Sequence, residues 1–466
     1  MQRKVAGAAV QPGGSCTRFG DVSPQPSLQQ GIDQAGSPIG LLWKPNSEPW
    51  KPPVLPDEFV SWGREQGAAY QGVALSDLSH HMRDLFIEGP DATRLLSDVS
   101  ANNYESFQIG QAKQFVPVTE RGWIVQDGIL MRDAEDRYTL SGPPASQNWV
   151  LYHGERGDYA VSFRDDPDSQ FRPGGGGPVL FRYQVQGPRA PELVERVFGG
   201  PLPETRFFHS APVTLNGHEL RALRHGMAGQ AGYEFIGDYV DGEAVKQAFI
   251  EAGEEFGLIQ VGALAYSSNG IESGWIPTPT PGIYTDPDLE PYRQWLGLFT
   301  LEGQRGLHGT WFSEDLEQYY VSPYELGYGR SIAFNHDFIG RDALEQAKHN
   351  VSRRKVTLVL DAGDTRKLLG EAPDFFLSYA RYRIEVDSTP VGMTFYTAYL
   401  AHLDRILALS LVAGEHAEPG TEVTLVYGEH PGPGHDPNGK FDFKRLRATV
   451  RPAPYNEFAR TQYRAD

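Results

Sequence analysis

The stretch "HGMAGQAGYEFIG", residues 225–237, sets four glycines around one carboxylate, Glu234. Glycine adopts positive φ without strain and lets a backbone come close to a ligand or to another segment. A first reading is a hairpin bend with Glu234 on the second strand, pointing to water. The glycines also leave open the close approach of a ligand to the backbone, with one acid at the end of the bend. The rest of the chain bears on which reading holds.

The chain has 466 residues, of which 39% are hydrophobic and 12% aromatic, enough to bury substantial cores in two to four domains. Nothing approaches the roughly 18 consecutive apolar residues of a membrane span. The opening "MQRKVAGAAVQPGGSC" lacks the apolar core of a signal peptide, so residues 1–27 read as a mobile lead and a cytoplasmic setting is expected. With 60 acids against 42 bases, the formal charge of −18 disfavours nucleic acid and anionic membranes as partners. Cys16 is the single cysteine, which excludes a disulfide framework, cysteine-rich zinc sites and iron–sulfur clusters. No metal is expected.

Residues 27–36, "SLQQGIDQAG", read as a short helix, and the Pro- and Trp-rich run 43–59 as an extended arm. Residues 72–89 read as strands carrying the pair His80–His81. Neighbours on a strand face opposite ways, so both histidines cannot easily reach one ligand, and His80 is taken as structural. "LFIEGPDATRLL" (85–96) and "YQVQGPRAPELV" (183–194) share a strand, Gly-Pro, helix pattern that suggests two similar α+β units. The glycine run in 165–178 lacks Gly-Lys-Ser/Thr and is a loop, not a phosphate cradle. Residues 241–258 form the clearest helix, with an apolar stripe ending at Gly257. After a helix at 340–348, "RRKVTLVL", "YRIEVDSTPVGMTF", "RILALSLV" and "GTEVTLVYG" are strand-rich. They imply a C-terminal antiparallel barrel or sandwich, with 428–441 as a loop.

Three segments together resemble the glycine-cleavage T-protein (aminomethyltransferase) superfamily: "GMAGQAGYEFIG", "SPYELGYGRSIAFNHDFIGRDAL" (322–344) and residues 388–426. "LSHHMRDLFI", "AKQFVPVT", "LRHGMAGQAG" and "AYSSNGIESGWIPTPTPGIYT" are similar to tetrahydrofolate-dependent aryl O-demethylases acting on vanillate, syringate or 3-O-methylgallate. The resemblance covers most of residues 70–455. It implies an α+β, three-domain ring around a folate channel. Two interleaved units would fill 28–330, the second at roughly 130–220, and a β-rich domain 331–466. The implied reaction moves a methyl group from an aromatic methyl ether to tetrahydrofolate, giving 5-methyltetrahydrofolate and a phenol. An N- or S-demethylase on the same fold, or a folate-binding module without turnover, are the alternatives.

Carried onto this sequence, the resemblance makes Glu234 the acceptor for a pterin edge, whose adjacent N–H groups suit two parallel bonds to one carboxylate. Met227 and Gln230 depart from the aminomethyltransferase pattern, which has Tyr and Glu there. Tyr266 becomes the candidate proton donor to a departing phenolate, since its unperturbed pKa of about 10 matches a phenol. His81 falls where the demethylases contact substrate. Asp127, after Gln126 where a first acid is usual, is expected to orient folate or close a strand turn. Trp275 and Phe115 are expected as channel walls. Pro143 stands where the demethylases place the arginine that holds a substrate carboxylate, which implies either a donor without that carboxylate or another base in its place, such as Arg83 or Arg132.

Overall fold

The structure, a computed structural model, describes residues 25–172, 176–439 and 441–464. Cys16 and most of the expected lead lie outside them, as do three residues of the glycine-rich loop. Among the described residues, no helix is long and apolar enough to cross a membrane.

Strand Val73–Asp77 starts a six-stranded sheet, and the next strand, Arg83–Glu88, already belongs to another. The first sheet runs Leu258–Val261, Val73–Asp77, Leu180–Gln186, Gly232–Asp238, His218–Leu223, Ser210–Leu215. It is antiparallel except at its first pair. The second, with five antiparallel strands, runs Ala112–Phe115, Gly128–Ala134, Arg137–Gly142, Arg83–Glu88, Ser162–Asp166. The chain thus enters one sheet, completes the other and returns. The five-stranded sheet gathers strands from 83 to 166, whereas Leu180–Gln186 and Ser210–Leu215 pair with the strand of Glu234.

Both Gly-Pro junctions have a common cause. Gly89 (φ 145°) and Gly187 (φ 138°) leave their strands with positive φ. A Cβ on either would lie 2.2 Å from a backbone carbonyl, of Ala160 and Gly72 respectively. Helices Ala92–Asp98 and Ala190–Phe198 follow. Their apolar faces (Leu95 and Leu96; Leu193 and Val194) are buried in separate cores.

The C-terminal strands close on themselves. Thr389–Leu400, Arg383–Val386, Glu422–Tyr427, Lys444–Arg451, Arg353–Leu360 and Arg405–Ala413 form an antiparallel ring, because the last also pairs with the first. Closure removes free sheet edges. The hairpin joining Arg383–Val386 to Thr389–Leu400 turns at Asp387 and Ser388, with φ 50° and 65°, the paired positive values of a tight two-residue turn.

Strand Leu180–Gln186 holds the two sheets together. Phe181, Tyr183 and Val185 enter an apolar core while Arg182, Gln184 and Gln186, each 3% exposed, take the opposite face. Arg182 donates from Nη2 to both oxygens of Asp84 on the other sheet (3.0 and 3.1 Å) and from Nη1 to Glu234 (3.0 Å). Removing one member of such a group leaves buried charge uncompensated, which costs about 3–5 kcal/mol. Arg182→Met is therefore expected to lower unfolding free energy by roughly that amount, read from the midpoint of urea denaturation. A midpoint within error of wild type would show that the clamp does not hold the sheets.

Candidate active site

Gly226 and Gly232 let their bend lie against strand Leu180–Gln186, while Gly229 packs against Ala459 and Ser273. Gln184 accepts the Met227 amide (3.1 Å). Gln186 accepts the Ala228 amide (3.1 Å) and donates to the Gln230 carbonyl (2.9 Å). A Cβ on Gly226 would lie 1.8 Å from the Gln186 amide, and one on Gly232 2.0 Å from the Val185 carbonyl. Close backbone approach, rather than an open hairpin, explains the glycines. Glu234 does not point to water either. It is 3% exposed, with one oxygen on Arg182 and the other accepting from Gln184 (2.9 Å). Burial alone opposes its charge. Arg182 and His225 outweigh this and, with the Gln184 bond, hold its carboxyl below the usual range.

Beside the bend opens a cavity of about 900 Å³. The glycine bend, the five-stranded sheet, the 43–59 arm and the C-terminal barrel contribute to its wall, through Met227, Ile129, Trp50 and Tyr396 respectively. His81, Asp127, Tyr266 and Trp275 all line it. Glu234 lies one hydrogen bond behind the lining: Gln184 bridges its carboxylate to the amide of Met227, which faces the cavity. Phe115 does not wall the cavity. It is fully buried in the main core, because strand alternation turns Gln114 to the cavity instead. Nor are His80 and His81 on a strand. They occupy the turn between Val73–Asp77 and Arg83–Glu88, where the chain crosses between sheets. His80 bonds the Ser169 hydroxyl (2.9 Å).

His81 Nε2 lies 2.8 Å from the Tyr266 hydroxyl, and Trp50 packs edge-on against the His81 ring. Burial pushes the His81 imidazole down to about 4, so it is neutral near pH 7. Burial, with the Glu234 charge in reach, drives the Tyr266 phenol far above its ordinary value, so it keeps its proton. His81 Nδ1 is buried without a partner. The tautomer with hydrogen on Nε2 therefore avoids burying an unpaired N–H. In that tautomer His81 donates to the Tyr266 oxygen and leaves the phenolic hydrogen free to face the cavity.

Asp127, 1% exposed, gathers four donors: the Trp275 indole (2.8 Å), the Tyr328 hydroxyl (2.9 Å), the Gln126 amide (3.0 Å) and the Gln114 amide. Burial raises its carboxyl, and these bonds act against that rise. The indole bond fixes the Trp275 ring in the wall. Of the substitutes for the missing arginine, Arg83 lines the cavity but is spent on Asp165 (2.7 and 3.1 Å) and Asn148 (2.7 Å). Arg132 donates to the Phe107 and Glu135 carbonyls and lies outside the lining.

Sequence reasoning missed Arg182, Gln184, Gln114 and Tyr328. The alternation in "FRYQVQ" (181–186), with polar residues at every second position, was the available signal for the first two. Nothing local marks Gln114 or Tyr328.

A β-barrel closed beside two interleaved sheets, with a shared cavity at their junction, defines a fold class that the comparisons identify. The GCVT N-terminal domain matches residues 47–298, and the chain belongs to this family. It is 36% identical to a syringate O-demethylase of Sphingobium sp. (strain NBRC 103272 / SYK-6), over 94% of this chain and 97% of that protein. With a sesamin methylene transferase of Sinomonas sp. (strain No.22) it shares 28% identity over 77% of this chain and 81% of the other. The crystal structure of glycine cleavage system aminomethyltransferase T from Bartonella henselae superposes with a TM-score of 0.60 at 18% identity. That match covers 86% of this chain and 92% of that one.

His81, His153 and His225 are each depressed to about 4, chiefly by burial. In the unfolded chain they take up protons below about 6.5, which the folded state refuses until about 4. Their contribution is intact above the upper value and is lost as pH falls through this window. Thermal melts should show Tm dropping there, with a shallower slope in His153→Phe, which lies outside the cavity lining. Equal slopes would refute this assignment.

Proposed function

We propose that this protein is a tetrahydrofolate-dependent O-demethylase that moves a methyl group from an aromatic methyl ether to folate. The observation carrying this reading is the His81–Tyr266 pair, a phenol held protonated and oriented toward a cavity with room for more than one ring system. The 36% identity to a syringate O-demethylase over nearly the whole chain supports it.

The residues suit a folate. The volume falls within the range of ligand sites, and Trp275 offers a flat wall. Glu234, one hydrogen bond behind the lining, is the acceptor left for the N–H groups of a pterin, since Asp127 is taken up by four protein donors. Glu234 uses one acceptor site on each oxygen, whereas a carboxylate has about four in all. Tetrahydrofolate, when bound, supplies the nitrogen that accepts the methyl group and sheds a proton. Tyr266 does the work on the other partner. As the bond between the ether oxygen and the methyl carbon breaks, the oxygen leaves with the electron pair and takes the phenolic proton of Tyr266. His81 keeps the hydroxyl aimed, and the proton is restored from solvent. His81 is thus a positioning residue and Tyr266 the general acid.

Anaerobic incubation with tetrahydrofolate and a panel of methoxyphenols should yield 5-methyltetrahydrofolate and demethylated phenol in equal amounts, with chelators present. A chain that binds folate yet methylates none with any donor would be a binding module. Tyr266→Phe should bind both partners and turn over about 100-fold more slowly, with a smaller defect for more acidic leaving phenols. Near-wild-type single-turnover rates across that series would remove Tyr266 from the mechanism. Glu234→Gln replaces one acceptor by a donor amide, and folate affinity should fall at least about tenfold. Unchanged calorimetric binding would leave Glu234 as a partner of Arg182 and Gln184 only.

A further inference from the structure

Two of the cations facing the cavity lack the counter-charges that other arginines in the molecule possess. Arg83 is paired with Asp165, and Arg182 with Asp84 and Glu234. Arg381 is 2% exposed and donates only to neutral oxygens: Tyr379 (2.7 Å) and Phe395 (3.4 Å) from Nη1, Thr278 (2.8 Å) from Nη2. Arg305 bonds the Pro279 carbonyl (2.5 Å) and the neutral Gln126 amide oxygen (3.3 Å). Both Nε atoms are buried without a partner, and both residues line the cavity. Among the described residues, no carboxylate lies within ion-pair distance of either; Glu302 acts on Arg305 only at longer range. Carbonyl oxygens satisfy N–H groups but do not neutralise charge, and a buried guanidinium is ordinarily paired. Burial first, then the neighbouring Arg305 charge, pulls Arg381 down to about 9, the response of a cation short of an anion.

We propose that Arg305 and Arg381 together seat the carboxylate of an aromatic-acid methyl donor, doing what Pro143 has no side chain to do. This inference rests on the O-demethylase reading. A planar guanidinium fork matches a carboxylate, and two forks supply charge and orientation together. Position favours the donor. Arg381 bonds the backbone of Tyr379, whose ring stacks on Tyr396 at 5.5 Å and lies within electrostatic reach of Tyr266. The other source of a carboxylate is the glutamyl tail of folate. That tail is a flexible dianion and suits an exposed cation such as Arg464 on the cavity rim better than a buried Arg381 with a half-buried Arg305 beside it. The pair is therefore specificity-determining: it selects benzoates over neutral methoxyphenols.

Equilibrium binding tests this without turnover. The probes are 4-hydroxy-3-methoxybenzoate and its primary amide, titrated calorimetrically into the full chain saturated with folate. The acid should bind roughly 30-fold more tightly than the amide, the equivalent of a charge-assisted bond pair, and the ratio should fall to within about threefold in Arg305→Gln and Arg381→Gln. Folate and its tail-less analogue pteroate should bind both variants as they bind wild type. If a Gln variant does not fold, Arg→Lys at the same position keeps charge but loses the fork, and must lower the ratio. Three results overturn the inference: equal binding of acid and amide by wild type, an unchanged ratio in the variants, or variants that lose folate but not pteroate affinity. The last would assign the pair to the glutamyl tail. Failure of methyl transfer with every donor would strike the proposed function instead, and leaves this binding comparison readable.

Discussion

Arg182 is the one cation on which the arrangement depends. Its guanidinium spans from Asp84 in the five-stranded sheet to Glu234 in the six-stranded one. The three groups are buried together, so none can be relieved by water if another is lost. Burial raises the Asp84 carboxyl against the opposing pull of Arg182, while Glu234 ends below its usual range. The clamp also sets Gln184 and Gln186 against the glycine bend, since all three side chains share one face of a strand. The distance between the two sheets, the seat of the bend and the depth of the cavity floor thus follow from one cross-sheet interaction.

The cavity is a seam rather than a property of any single layer. Tyr266 comes from a short helix after the six-stranded sheet, Asp127 from the segment entering Gly128–Ala134, Trp50 from the arm, and Arg381 and Tyr396 from the barrel. Electrostatics sorts the groups within it. Glu234, one hydrogen bond behind the lining, is held below the usual carboxylate range by Arg182. The buried Tyr266 phenol and His81 imidazole are held neutral. That separation of protonation states around one cavity is what acid–base chemistry near pH 7 requires.

Much of the fold was legible in local pattern. The alternating runs at 353–360, 405–413 and 422–427 are barrel strands, the glycines of 225–237 mark close approach, and both Gly-Pro repeats leave a strand for a helix. Where the reading failed, side-chain chemistry had been judged without strand phase. Phe115 looked like a channel wall, yet Gln114 holds that face because register, not ring character, decides which way a residue points. His80 and His81 were read as strand neighbours, yet they turn between sheets. That Leu180–Gln186 pairs with the strand of Glu234 was not legible either, because local sequence carries no record of which distant strand a segment will pair with.

The sequence by itself determined most of the strands and helices and the glycine-rich bend, which periodicity and short motifs carry. Its resemblance to the family marked His81, Asp127, Tyr266 and Trp275 as candidates. Only the tertiary structure decided that Tyr266 meets His81, that Glu234 is answered by Arg182, and that Arg305 and Arg381 are left without an acid. Those are facts about charge balance among residues as much as 185 positions apart. Whether a buried charge is paired depends on what the fold brings within a few ångströms of it, and no local pattern encodes that.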